Sequence, residues 1–229
     1  MRPVDIARQL KVSTSSLRHY ESMGIVPEVE RTESGYRVYT EEHYAYFSCI
    51  VAMKDGFGMQ RTGEVLVLVL DGRQEEALWL ISDSKAQLFR DKTIAEKTIK
   101  ALESEPETLL PLHKRKKGWT IGEMAEYTLI PASAIRHWEK MGLLTVERDP
   151  DNGYRVFSPS NLRQILTIRT LKSAIWSLDV IKRIIADIDN DRLDYAITAA
   201  RAALDYLNVQ NKNQLRGSYY LYRLMQEGE

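Results

Sequence analysis

The sequence predicts a mainly α-helical protein built from two winged helix-turn-helix domains with short two-stranded wings, each followed by a longer amphipathic helix. Two observations carry that prediction. The stretch LRHYESMGIV, Leu17 to Val26, returns as IRHWEKMGLL, Ile135 to Leu144. Downstream, GYRVY, Gly35 to Tyr39, returns as GYRVF, Gly153 to Phe157. Both pairs share one offset, 136 − 18 = 118 for the arginines and 153 − 35 = 118 for the glycines. A common offset implies the same spacing in each copy, with no insertion between the two motifs. That is the mark of one supersecondary unit used twice.

The first unit opens at Pro3, suited to a first helical turn because its missing N–H would be unpaired there anyway. Apolar Val4, Ile6, Ala7 and Leu10 give a short helix one buried face. Lys11-Val12-Ser13-Thr14 then interrupts the pattern and offers a hydroxyl cap for a second helix, about Thr14 to Met23, which Gly24 ends. The second unit repeats this with a capping-box spacing at Thr120 and Glu123, and Gly142 answers Gly24. Two hairpins are expected next. Val26–Thr32 and Tyr36–Tyr39 flank Glu33-Ser34-Gly35; Leu144–Arg148 and Tyr154–Phe157 flank a loop ending in Asn152-Gly153. Helical pairs follow, Glu41–Leu70 with a break at Gly56-Phe57-Gly58, and Pro159–Ile188 with a break near Ala174–Ser177. Long apolar stripes then run from about Gln74 to Glu105 and through Leu193, Ile197, Ala200, Leu204 and Leu207. The tail from Gln214 reads as a last amphipathic helix. The expected division is therefore 1–72, first winged-helix domain; 73–105, long helix; 106–118, linker with two prolines and a solvated cationic run; 119–189, second winged-helix domain; and 190–229, C-terminal helices.

With 229 residues, 44% apolar and 28% charged, the composition is that of a soluble globular protein with room for two modest cores. No apolar run approaches the roughly 18 residues of a membrane-spanning helix, and no membrane partner is expected. The N-terminus reads directly as a helix, so export is not expected, and a single cysteine, Cys49, fits a reducing cytoplasm. A net charge of zero gives nucleic-acid binding no help from the total, which leaves the local placement of cations to decide.

In a helix-turn-helix the second helix enters the major groove, where base edges are readable. Arg18 and His19, with Ser15 and Ser16 a turn earlier, lie on that helix; Arg136, His137 and Ser133 are their counterparts. Arginine suits this place because its planar fork meets two acceptors at once. The wings supply Tyr36 and Arg37, and Tyr154 and Arg155, for the sugar–phosphate backbone, with Arg31 and Arg148 on the approach strands.

The opening helix, the LRHYE-x-MG segment and the GYR-V-Y wing resemble the DNA-binding domain of MerR-type transcriptional regulators. The resemblance covers about Met1–Leu70 and Thr120–Ile188. It implies winged helices with dimer-forming long helices, binding to a pseudo-palindromic promoter element, and in many members activation by bending and untwisting an over-long spacer. Carried over by position, the recognition-helix contacts fall on Arg18, His19, Arg136 and His137, and the wing contacts on Tyr36, Arg37, Tyr154 and Arg155. Such proteins usually hold one domain of this kind, whereas this chain holds two. The cysteines of the family's metal sensors and the sizeable ligand domain of its drug sensors are not recognisable here.

Double-stranded DNA is thus the expected partner, with RNA polymerase at a promoter and a small-molecule effector as further candidates. Two half-sites are expected to be read by one chain as an intramolecular pseudo-dimer, or by a homodimer. Two other readings stay open. One is a binding protein for a drug-like ligand, held among Trp79, Trp176, Tyr219, Tyr220 and Tyr222; the other is an architectural DNA anchor. Cys49 is expected to be a buried small hydrophobe and His43 a surface residue. The sequence contains no phosphate loop, no metal-spaced His/Cys/Asp set and no nucleophile motif, so neither enzyme activity nor a cofactor or metal is expected.

Overall fold

Pro3 opens α1 (Pro3–Leu10), which ends at Lys11 in a left-handed conformation, φ 55°. In the computed structural model that describes residues 1–104, 118–174, 177–190 and 192–226, this is the first of two matching helical hairpins. α2 (Thr14–Ser22) starts from Ser13, whose side chain accepts the Ser16 N–H at 3.0 Å. β1 (Glu30–Arg31) and β2 (Arg37–Val38) pair antiparallel, Glu30 opposite Val38 and Arg31 opposite Arg37. α3 (Glu41–Leu70) is interrupted at Gly58, φ 75° and ψ 160°, within the glycine pair where the break was expected. α4 (Gln74–Glu103) is the long helix.

The second half repeats the order. α5 (Ile121–Thr128) carries the expected capping box of Thr120 and Glu123 and ends at left-handed Leu129, φ 59°. α6 (Ala132–Lys140) has Pro131 at its N-cap and no side-chain cap. β3 (Glu147–Arg148) and β4 (Arg155–Val156) form the second wing, followed by α7 (Pro159–Ala174), α8 (Leu178–Asp189) and α9 (Asp194–Gln226).

Three expectations are corrected. The copies do contain a compensated slip. Glu30 matches Glu147, 147 − 30 = 117, whereas Val38 matches Val156, 156 − 38 = 118. The approach to the second wing is one residue shorter and its turn one longer, so the outer motifs keep their offset while the strand between them shifts. The tail is not a separate helix, because α9 runs unbroken for 33 residues. His43 is buried, only 4% exposed, because it works as a cap: Thr40 N–H donates to its Nδ1 at 3.1 Å, and its own N–H donates to Thr40 Oγ1 at 3.3 Å. Asn161 holds the same post in the second copy, exchanging bonds of 3.1 Å with Ser158. Cys49 is fully buried, with Sγ 3.5 Å from Met53 Sδ, as expected of a small hydrophobe. Trp176 and nearly all of the expected linker lie outside the described residues.

The chain divides into two units, Met1–Leu88 with Asn208–Glu229, and Phe89–Leu207. Both long helices are cut by that division. In the first unit, Ile6, Leu17, Phe47, Ile50 and Met53 pack with Ala77 and Ile81 of α4 and with Leu221, Leu224 and Met225 of α9. In the second, Ile135, Trp138, Phe157, Leu162 and Ile165 pack with Ile94, Ala101 and Leu102 of α4 and with Ala196 and Ala200 of α9. The first unit closes tightly on the end of α9. A Cβ built on Gly56 would lie 2.6 Å from the Gln214 backbone nitrogen, and the Gln214 side-chain amide donates to Gly56 O at 3.1 Å.

Candidate nucleic-acid interface

Each recognition helix buries one stripe and offers another. Leu17 and Tyr20 of α2 go into the core, as do Ile135 and Trp138 of α6. That leaves Ser15, Arg18, His19 and Ser22 exposed along one face, spaced i, i+3, i+4, i+7, and Ser133, Arg136, His137 and Lys140 exposed in the second copy. Ser16 is half-buried and is spent locally on Ser13, Oγ to Oγ 2.8 Å. Arg18, His19, Arg136 and His137 thus stand exposed on the second helix of each hairpin.

The wing arginines do something the motif alone did not reveal. Arg37 Nε donates to Glu21 Oε2 at 2.6 Å, and Arg31 Nη2 lies 3.6 Å from the other oxygen of the same carboxylate. In the second copy, Arg155 Nε donates to Glu139 Oε2 at 2.7 Å and Arg148 Nη2 lies 3.6 Å from Oε1. Within each wing the two arginines are direct cross-strand partners. Like charges in that relation repel, and one glutamate from the recognition helix offsets both while tying wing to helix. The Glu21 hydrogen bond raises the Arg37 guanidinium above its ordinary range, and burial raises the Tyr39 phenol. Glu21 and Glu139 were missed as functional residues although both stand in the repeated motif, as the E of LRHYE and IRHWE. Their signal was the recurrence itself.

Tyr36 and Tyr154 stand at the wing tips, 74% and 75% exposed. Both follow a left-handed glycine, Gly35 at φ 80° and Gly153 at φ 73°, which turns the tip. The longer second loop is held by Asp149 Oδ1 accepting from Asp151 N–H and by Asn152 Oδ1 accepting from Tyr154 N–H, each at 2.9 Å. Lys54, also unforeseen, borders a shallow cleft with Ser15, Ser16 and His19, and so adds a cation beside the first recognition helix. Of the aromatic residues set aside for a ligand, Trp79 is 75% exposed and Tyr219 and Tyr222 are also exposed. Tyr219 and Tyr220 stack edge to face, ring centroids 5.6 Å apart. Of these four, Tyr220 borders a cleft along the end of α9 that the other three do not line. Among the described residues no group of acids, histidines and cysteine is placed to hold a metal ion, and no helix is long and apolar enough to cross a membrane.

Comparison with known proteins agrees with this geometry. Residues 119–188 match the family model described as MerR HTH family regulatory protein, and residues 2–39 match that of MerR family regulatory protein. The HTH-type transcriptional regulator CueR of Salmonella typhimurium is 30% identical over 109 residues, 47% of this chain and 75% of that protein. The nodulation protein NolA of Bradyrhizobium elkanii is 32% identical over 69 residues, 30% of this chain and 32% of that protein. No solved structure gives a significant match.

Proposed function

Because the chain belongs to the MerR family of helix-turn-helix regulatory proteins, and is thereby a DNA-binding transcriptional regulator, we propose that its two winged-helix domains read the two half-sites of one promoter element. The observation that carries this reading is the duplication of the whole contact set. Each domain has an exposed Arg–His pair, an exposed wing tyrosine, and a glutamate that clamps wing to helix. A copy freed from DNA contact would have no reason to keep all of them at matching positions.

In this reading Arg18 and Arg136 meet base edges, each good bidentate contact worth roughly 1–3 kcal/mol. His19 and His137 flank them. Tyr36 and Tyr154, with the unshared edges of Arg31 and Arg148, meet phosphates and set the register. Arg37 and Arg155 position the wing through their glutamates and have less to give to DNA. One chain then stands for a dimer, acting in the cytoplasm on promoter DNA and on the polymerase bound there. The half-sites need not be identical, since Ser13 is replaced by Pro131 and the wing turns differ in length. Selection from random duplex DNA tests this. A two-part consensus bound by one chain, as weighed by native mass spectrometry, is the expected result; a two-part consensus that requires two chains overturns the single-chain reading.

A further inference from the structure

The two copies part company on the face of α3 that looks toward the end of α9. In the first unit this face borders a cleft of about 560 Å³, walled by the end of α1, the first turns of α3 and the last turns of α9. The 118-residue offset identifies the same positions in the second unit. Tyr44, Ala45, Ser48 and Val51 correspond there to Leu162, Arg163, Leu166 and Arg169. Those four are already committed. Leu162 and Leu166 are buried, Arg163 Nε donates to Ala101 O at 3.0 Å, and Arg169 pairs with Asp91. Duplication therefore left one face filled by its own side chains and its twin open.

The chemistry of the open face is specific. Lys11, at the end of α1, and Arg216, on α9, both line it, and no ion pair is formed by either among the described residues. Arg223 adds a third cation, against one acid, Glu41. Aromatic and apolar side chains line it as well: Tyr44 and Tyr220 are half-buried, Leu224 is buried, and the Arg216 guanidinium sits 5.9 Å from the Tyr220 ring centroid. Lys11 holds the left-handed end of α1, a backbone conformation that recurs at Leu129. The conformation is thus a property of the fold, while the cation at this position belongs to the first copy alone. Small-molecule sites are typically concave and combine aromatic or apolar surface with a few placed charged groups.

We propose that this cleft binds a small aromatic carboxylate. Its ring lies against Tyr44 and Tyr220, and its carboxylate is shared between Lys11 and Arg216. A bound anion of this kind ties α1 and α3 of the first DNA-binding domain to the end of α9. The binding site itself does not depend on the half-site reading; only its use as an effector site does.

The test is isothermal titration of the full chain without DNA, using 1-naphthoate as probe, with 1-naphthylmethanol and 1-naphthylmethylammonium as neutral and cationic counterparts. Saturable binding of the naphthoate at one site per chain is expected, with the neutral compound weaker by about tenfold or more and the cation weaker still. Arg216→Gln and Lys11→Gln, both exposed positions that leave the core untouched, should each weaken the naphthoate and leave the alcohol unchanged. Ser48→Leu, which copies the second unit, should abolish binding of both. Equal affinity for the three probes, indifference to Arg216→Gln and Lys11→Gln, or no saturable binding of naphthoate at millimolar concentration would each overturn the proposal. None of these outcomes bears on which DNA is selected, so the two readings fail separately.

Discussion

Removing the carboxylate at Glu21 leaves Arg31 and Arg37 facing one another across the first wing with no carboxylate between them. Glu21→Gln should therefore loosen the wing more than it destabilises the domain. The pairs are partly exposed, so the loss is about 1 kcal/mol or less, while wing amide exchange speeds up; unchanged exchange would contradict the clamp. Glu139→Gln should do the same in the second unit. His43→Asn should be nearly silent in thermal unfolding, because Asn161 already performs that capping in the other copy, whereas His43→Ala should cost on the order of 1 kcal/mol. Alkali acts at Cys49 and Tyr46, both pushed by burial up to about 12 from ordinary values of 9.0 and 10.0. The unfolded chain releases these protons first. The stability they contribute is fully present below about pH 9 and declines as pH climbs toward 12. Urea titrations at rising pH read that decline, and a thiol reagent should reach Cys49 only on unfolding. Legibility at this scale was uneven. The repeated Arg–His pair was readable because recurrence marks it, and burial of Cys49 followed from its apolar neighbours. The burial of His43 and the role of Glu21 depended on partners three and sixteen residues away, which no local pattern displays.

Helix boundaries were legible where caps or glycines mark them. Ser13, the Thr120–Glu123 box and Gly58 are such marks. The left-handed ends at Lys11 and Leu129 were not legible, because neither residue announces that conformation. The slip between the wings was hidden as well, since its two halves cancel within the offset. Two glycines in α3 carry different burdens. Gly58 has open space around it but a backbone that L-residues rarely adopt, so Gly58→Ala should cost about 1 kcal/mol or more through strain alone. Gly56 is helical but lies against the α9 backbone, so Gly56→Ala should cost about 1–3 kcal/mol through overpacking and should shift the contacts of Gln214. Denaturant unfolding of both variants, with exchange at residues 208–226, separates the two causes; protection of α9 unchanged in Gly56→Ala would contradict the close approach.

Across the whole molecule, the first unit is completed by a segment distant in sequence, Asn208–Glu229, whereas the second is one continuous stretch, Phe89–Leu207. The apolar stripes of α4 and α9 showed that these helices need partner surfaces, but periodicity cannot say which half of a helix serves which domain. The pairing that emerges seats the end of α9 on the first domain and the end of α4 on the second. Deleting residues 208–229 should therefore damage the first domain and largely spare the second, despite lying at the far end of the chain. Losing the buried Leu221, Leu224 and Met225 removes several kcal/mol, roughly 2–5 for each when truncated singly. Residue-resolved exchange showing the second domain as the damaged one would contradict the division into units. The central claim, that one polypeptide reads two half-sites, is tested most directly by selecting bound sequences from random DNA with wild type, Arg18→Ala and Arg136→Ala. Each substitution should blur a different half of the selected element, at a cost of roughly 1–3 kcal/mol. Both substitutions blurring the same half, or either leaving the element unchanged, would contradict it.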